Sequence, residues 1–298
     1  MLNETLLAAL GEILPPSALL TAQEDTRPYE CDGLTLFRAQ PLAVLLPENE
    51  AQVVEILKIC NAARLPVVAR GAGTGLSGGA TPNTDGVVLS LAKFKRILAI
   101  DPLARIAVLQ PGVRNLAISE AVAIHGLYYA PDPSSQIACT IGGNVAENSG
   151  KYGLTVHNVR RVRAVLITGE IVEFGSDALD SAGYDLLALI TGSEGLLAVI
   201  TEVTVRLMPK PREARCILAA FDDLASAGDA VAAIIAAGII PAGLEMMDRL
   251  TISAVEPFVH AGYPLDAEAI LLCEADGTPE EVEAEIDEMR VLLEKSGA

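Results

Sequence analysis

Tryptophan is absent, aromatic residues make up 4% of the chain, and histidines number three. So few rings make a poor platform for stacking bases or sugars. Basic residues are also scarce: 21 Lys and Arg stand against 39 Asp and Glu, a formal net charge of −18. That balance argues against a nucleic-acid interface and against a polybasic membrane patch. It leaves an anionic ligand open, because backbone N–H groups hold phosphates without net positive charge. The cysteines, Cys31, Cys60, Cys139, Cys216 and Cys273, are scattered, with no CxxC and no Cys/His cluster. This disfavours a disulfide framework or a zinc site and suits reduced thiols in a cytoplasmic protein. His125, His157 and His260 include no pair at metal-ligand spacing, so no metal is expected. No basic n-region of a signal peptide follows Met1. The longest apolar run, Ala230 to Leu244, is broken by Gly238, Pro241 and Gly243, short of the ~20 residues of a membrane span. No repeat of roughly 20–50 residues recurs, which excludes a solenoid.

What is present is a chain of 298 residues that is 51% hydrophobic, enough for a sizeable core and roughly two domains. Residues 1–40 read as a helical N-terminal extension. From Pro41 strands and helices interleave. A strand at 43–46 precedes a helix at 49–64, with Asn49 and Gln52 as a capping box and Val53, Ile56, Leu57 and Cys60 as its buried stripe. Strands follow at 66–69, 87–91, 97–100 and 105–110. A helix at 115–124 ends at Gly126, and residues 162–174 form a hairpin turning at Gly169. In 198–207, Val199, Val203, Val205 and Leu207 alternate onto one face. The two prolines of 208–212 mark a boundary, giving domains 41–210 and 211–298. The second reads strand, helix, strand, short helix, strand, helix, with Val282, Ile286, Met289 and Leu293 on one face of the last helix. This is a ferredoxin-like unit whose last strand is not reached before Ala298.

The chemistry concentrates in residues 66–80, PVVARGAGTGLSGGA. Gly73, Gly75 and Gly78 spell GxGxxG, but a Rossmann site needs a helix to start inside the loop. Pro82, Asn83 and Gly86 make a turn into the strand at 87–91 instead, so Rossmann binding is rejected, and a P-loop fails for want of Gly-Lys-Ser/Thr. Gly71, Gly73, Gly75, Gly78 and Gly79 still permit a nest of backbone N–H groups around a diphosphate. Thr74 and Ser77 add hydroxyls, and Arg70 adds a charge. A second segment runs PDPSS (131–135) and TIGGNVAENSG (140–150), and a third is TGSEG (191–195). Three such loops suit one large, extended polar ligand.

Together the motifs RGAGTGLSGGA, PDPSSQIACTIGGNVAENSG and TGSEGLLAVITEVTVRL resemble the FAD-linked oxidases of the vanillyl-alcohol-oxidase type. Within them they are similar to the group of glycolate oxidase, D-lactate dehydrogenases and D-2-hydroxyacid dehydrogenases. The resemblance covers the whole chain. It implies an α+β fold: a two-subdomain FAD-binding domain followed by an incomplete ferredoxin-like cap over the flavin. It implies FAD as cofactor, with Arg70, Gly71, Ala72, Gly73, Thr74, Gly75, Leu76, Ser77 and Gly78 at its diphosphate. Pro133, Ser134, Ser135, Thr140, Gly143, Asn144 and Ser149 then lie along the flavin and its linker, and Glu194, Gly195 and Ile200 close over it. It also implies hydride transfer from C2 of a small 2-hydroxy acid to flavin while a base takes the hydroxyl proton. The partners it implies are an iron–sulfur or other electron-transfer subunit, at the membrane only through such subunits, or a second copy in a homodimer.

Two departures stand out. Gly150 joins Lys151-Tyr152-Gly153 directly, where the family has a longer loop. The family's substrate arginine, catalytic histidine and histidine-rich metal motif belong to a C-terminal half that this chain does not reach. No catalytic residue is therefore assigned, and little dehydrogenase activity is expected of these 298 residues alone. Two other readings stay open: a non-catalytic flavin-binding or assembly subunit, and an FAD-dependent reductase of a cell-wall precursor, which PDPSS and TIGGNVAEN fit less well. Among lesser candidates, His157 and Cys139 are read as a junction residue and a buried thiol rather than flavin attachment points. Arg161 and Arg163 are read as a solvated face rather than a clamp for an acidic substrate. The acidic run from Asp266 to Glu288 is read as a solvated face.

Overall fold

Asn49 shows how local pattern becomes structure in this computed structural model, which describes residues 4–150, 155–176 and 183–298. Its backbone is extended and its side chain accepts the Gln52 N–H at 3.0 Å, opening a helix over Glu50–Ala63. The second arm of the expected box lands elsewhere: Gln52 Oε1 accepts from the Glu48 N–H at 2.7 Å, and its Nε2 donates to Ile13 O at 3.1 Å. The cap therefore also stitches the N-terminal helix to this one. Val53, Ile56, Leu57 and Cys60 are the buried stripe.

The chain divides into two units, Met1–Pro209 and Lys210–Ala298. Unit 1 begins with α1 (Glu4–Ile13), β1 (Leu19–Leu20), α2 (Gln23–Thr26), β2 (Ala43–Leu45), α3 (Glu50–Ala63), β3 (Val67–Arg70) and β4 (Val87–Ser90). The strands form a sheet in the order β1-β2-β4-β3, parallel except for β1. The first forty residues are thus more than a helical extension. Leu19 pairs with Leu45, and Leu10, Leu14 and Ala18 are buried in one core with Leu45, Ile56 and Leu89. A two-residue edge strand is too short for periodicity to reveal.

Next come β5 (Ile97–Asp101), β6 (Ile106–Leu109), α4 (Asn115–Val122), β7 (Leu127–Tyr128), α5 (Ile141–Glu147), β8 (Val159–Val165), β9 (Ile171–Gly175), α6 (Leu186–Ile190), β10 (Val199–Arg206) and β11 (Met208–Pro209). Five of these strands form an antiparallel sheet, β5-β6-β10-β8-β9, and β7 pairs with β11. Within β10 strict alternation fails. A register shift between Ile200 and Glu202 inverts the parity, so Val199 packs into the parallel-sheet core while Ile200, Val203 and Val205 pack into the other.

Glu50, the first residue of α3, ties the two sheets together. Arg163 Nε and Nη2 on β8 each donate to its carboxylate at 2.9 Å, and Thr201 Oγ1 on β10 donates at 2.7 Å. Arg163 also bonds Glu173 at 2.9 Å, so it is a structural tie and not a free, solvated cation.

Unit 2 contains β12 (Glu213–Phe221), α7 (Leu224–Ala236), β13 (Gly243–Asp248), α8 (Arg249–Val259), β14 (Ala269–Gly277) and α9 (Pro279–Lys295). Its sheet is fully antiparallel in the order β12-β14-β13. Val282, Ile286, Met289 and Leu293 of α9 are buried, as their spacing requires. Part of the acidic run is structural: Glu281 and Thr278 make a reciprocal capping box at the start of α9. Among the described residues no helix is long and apolar enough to cross a membrane, and no cluster of His, Cys, Asp and Glu could hold a metal ion.

The Arg163 hydrogen bond leads the effects that hold the Glu50 carboxyl below its ordinary 4.5. Its stabilisation is complete above that pH and is lost as the pH falls through the lower folded value. Glu50→Gln should therefore cost about 1–2 kcal/mol at neutral pH. In urea titrations the gap from the native protein should close at acid pH, whereas a pH-independent gap would count against the tie.

Candidate functional site

The parallel strands β3 and β4 are joined by residues 71–86 with no helix between them. This glycine-rich loop faces the start of α5 and the turn before β10. Together they enclose a cleft of about 770 Å³, its open mouth included, within unit 1. Arg70, Gly71, Ala72, Gly73, Thr74 and Gly75 line it, with Thr140, Gly143 and Asn144 opposite and Glu194, Gly195 and Ile200 closing one side. Leu76, Ser77, Gly78, Pro133, Ser134, Ser135 and Ser149 are not on its wall. The Gly150–Gly153 junction falls largely on residues 151–154, outside the described residues.

The second motif, expected to be a loop, contains helix α5 despite two glycines. Thr140 is extended before it, Ile141 N–H donates to Val113 O, and Gly142 N–H donates to Pro111 O. A Cβ on Gly142 would lie 2.5 Å from Pro111 Cβ, so glycine allows the helix to dock. Asn148, at φ 56°, ends it. The third motif hangs on its last carbonyls: Gly192 N–H donates to Val145 O and Glu194 N–H to Ala146 O, both at 2.8 Å. Glu194 is itself left-handed, at φ 54°, a conformation uncommon outside glycine and enriched at functional sites.

No acceptor among the described residues meets the backbone N–H groups from Gly71 to Ser77. Consecutive free donors beside a cleft are the raw material of an anion nest. Across from them Thr140 Oγ1 is buried without a partner, and a Cβ on Gly71 would strike it. These groups suit a ligand rich in acceptor oxygens.

Several candidate side chains also make structural contacts of their own. The Arg70 guanidinium donates to Cys31 O at 2.8 Å and to Ala80 O at 3.0 Å, and sits 5.6 Å from the Tyr29 ring centroid. It ties the start of the loop to Ala80 within it and to Cys31 outside it. Asn144 donates to Asn115 Oδ1, and Asn115 donates to Pro131 O, both at 2.8 Å. That chain anchors the PDPSS segment. His157 is exposed in a short turn, off the cleft wall. Cys139 lines the cleft, but burial pushes its thiol up, which opposes nucleophilic reactivity.

Sequence reasoning missed a strap. Residues 31–33, Cys-Asp-Gly, lie 38 or more positions before the loop they clamp. Gly33 N–H donates to Gly75 O at 2.9 Å, and buried Asp32 accepts from Gly78 N–H at 2.8 Å and from Leu34 N–H at 3.0 Å. The turn-forming Asp-Gly pair was the signal available. Glu147, also on the wall, was missed because its segment read as a glycine-rich loop, with no helix to aim its side chain at the cleft.

Residues 41–175 match the family described as FAD binding domain, and residues 210–298 match FAD linked oxidases, C-terminal domain. Glycolate oxidase subunit GlcD of Escherichia coli (strain K12) is 59% identical over 99% of this chain and 60% of its own length. D-lactate dehydrogenase of Anaerostipes hadrus is 33% identical over 96% of this chain and 63% of its own. The chain thus spans about 60% of the length of such relatives. Among solved structures, p-cresol methylhydroxylase shares the fold at a TM-score of 0.83 and 19% identity, over 98% of this chain and 64% of the other.

The strap supplies a mutational test. A Cβ on Gly33 would lie 2.6 Å from Thr74 O, which the loop can relieve only by moving. Gly33→Ala should lower the unfolding free energy by about 1–3 kcal/mol in chemical denaturation; a neutral substitution would remove the strap from the account.

Proposed function

The chain belongs to the FAD-linked oxidases, and from that premise we propose that its cleft holds the FAD diphosphate and that the protein containing it oxidises a small 2-hydroxy acid. One observation carries the first part: the row of unsatisfied N–H groups from Gly71 to Ser77, facing the unpaired Thr140 hydroxyl. Gly71 to Gly75 would give backbone donors to phosphate oxygens. Leu76 and Ser77 would continue the row, Gly78, whose N–H is held by Asp32, would fix its end, and Arg70 would brace the loop. Thr140 and Gly143 would bind from the facing wall. Glu194, Gly195 and Ile200 would flank the cofactor, while Pro133, Ser134, Ser135, Asn144 and Ser149 would support it from behind. Donors fixed before binding cost little reorganisation. This explains how a chain of net charge −18 could hold an anionic cofactor.

The relatives, a glycolate oxidase subunit and a D-lactate dehydrogenase, support the reaction class, oxidation of glycolate or D-lactate to the 2-oxo acid. Bound FAD would supply the hydride-accepting ring, and the residues above would fix its position and exclude water around the diphosphate. We also infer electron-transfer partner subunits, because the first relative is named as a subunit. A cytoplasmic setting, with any membrane contact made through those partners, belongs to the same proposal.

Purified protein should bind FAD with absorbance bands near about 370 and 450 nm. Gly71→Val, which drives a side chain into Thr140, should weaken binding at least tenfold in fluorescence titrations. Glycolate or D-lactate added without oxygen should bleach the visible band of the protein that contains this chain. Failure of the native protein to take up FAD would overturn the assignment.

A further inference from the structure

Two carboxylates stand where an anion site should be free of them. Glu147 is the last residue of α5, Glu194 precedes Gly195, and both line the cleft. A Cβ on Gly75 would strike Glu147 Oε1, and one on Gly79 would strike Glu194 Oε2. Both carboxylates therefore rest against the loop that carries the free N–H row. Neither has a hydrogen-bond or ion-pair partner among the described residues. Glu147 also sits at the carbonyl end of its helix, where a negative charge is disfavoured. Burial, followed by the charges of Glu194 and Asp32, raises its carboxyl above the ordinary range. Arg70 is the one cation among the described lining residues; its Nη1 is held by Cys31 O and Ala80 O, while Nε and Nη2, beside Gly73, have no hydrogen-bond partner among the described residues. Cys139, the other titratable group on the wall, is a neutral thiol at physiological pH.

Backbone donors alone do not discriminate between phosphate compounds. A row of N–H groups would hold inorganic pyrophosphate at least as well as a doubly esterified diphosphate, since the free ion carries more charge. Facing carboxylates reverse that order. They repel each added negative charge at a distance too short for salt to screen, and they accept hydrogen bonds from hydroxyl groups. We propose that Glu147, backed by Glu194, sets the specificity of the cleft: it admits a diphosphate flanked by sugar or polyol hydroxyls and rejects bare polyphosphate. This rests on the assignment of the cleft to FAD.

The test is competition at pH about 8, with FAD-loaded protein titrated with inorganic pyrophosphate and release followed by the return of flavin fluorescence. Native protein should resist displacement. Glu147→Gln, nearly isosteric, should bring the half-displacing concentration down at least tenfold. Glu194→Gln should act in the same direction. Lowering the pH until Glu147 protonates should sensitise the native protein and leave Glu147→Gln much less affected, because protonating Glu147 mimics the substitution. The groups that bear on this titration are Glu194, Asp32, Arg70 and Cys139. Equal pyrophosphate sensitivity in native and Glu147→Gln proteins, or a pH response unchanged by the substitution, would overturn the proposal while leaving FAD binding intact. No FAD uptake by the native protein would overturn the assignment and the selectivity with it.

Discussion

A backbone N–H without an acceptor is costly unless water or a ligand meets it. Among the described residues, seven consecutive N–H groups, Gly71 to Ser77, have no acceptor, and the first five line the cleft. Much of unit 1 can be understood as the frame that keeps them there. Arg70 ties the loop's start to Ala80 and Cys31, the Asp32–Gly33 strap pins its middle and far side, and Thr140 faces Gly71. Behind them α5 carries the third motif on its final carbonyls. The second and third motifs are far apart in sequence, but they are joined by main-chain bonds, which side-chain variation would leave in place.

Charge explains why the site is built from backbone. A chain this acidic has few lysines and arginines to help hold phosphate. The one cation among the described lining residues, Arg70, uses its Nη1 to shape the loop. In the proposed assignment neutral donors, fixed by glycine geometry, would take the binding role, and the nearby carboxylates would act on what those donors otherwise accept indiscriminately.

Much of this was legible in the sequence. The stripe Val53, Ile56, Leu57 and Cys60, the stripe on α9, and the absence of a helix in the glycine-rich loop follow from local pattern, and the structure shows each. The misses share one cause: they depend on distant partners. Alternation placed Val199 with Val203, and a bulge separates them. Arg163 looked solvated until Glu50 came to it from α3. Gly142 and Gly143 read as loop, yet Gly142 packs a helix against Pro111. The residues at 31–33 gave only a turn signal, because their contacts lie across the fold.

The central claim is that the Gly71–Ser77 amides find their acceptors on FAD. Hydrogen exchange of those amides, followed with and without FAD, tests it most directly. The account predicts fast exchange across the segment in cofactor-free protein and strong protection once FAD is bound. Exchange at the same rate in both states would contradict it.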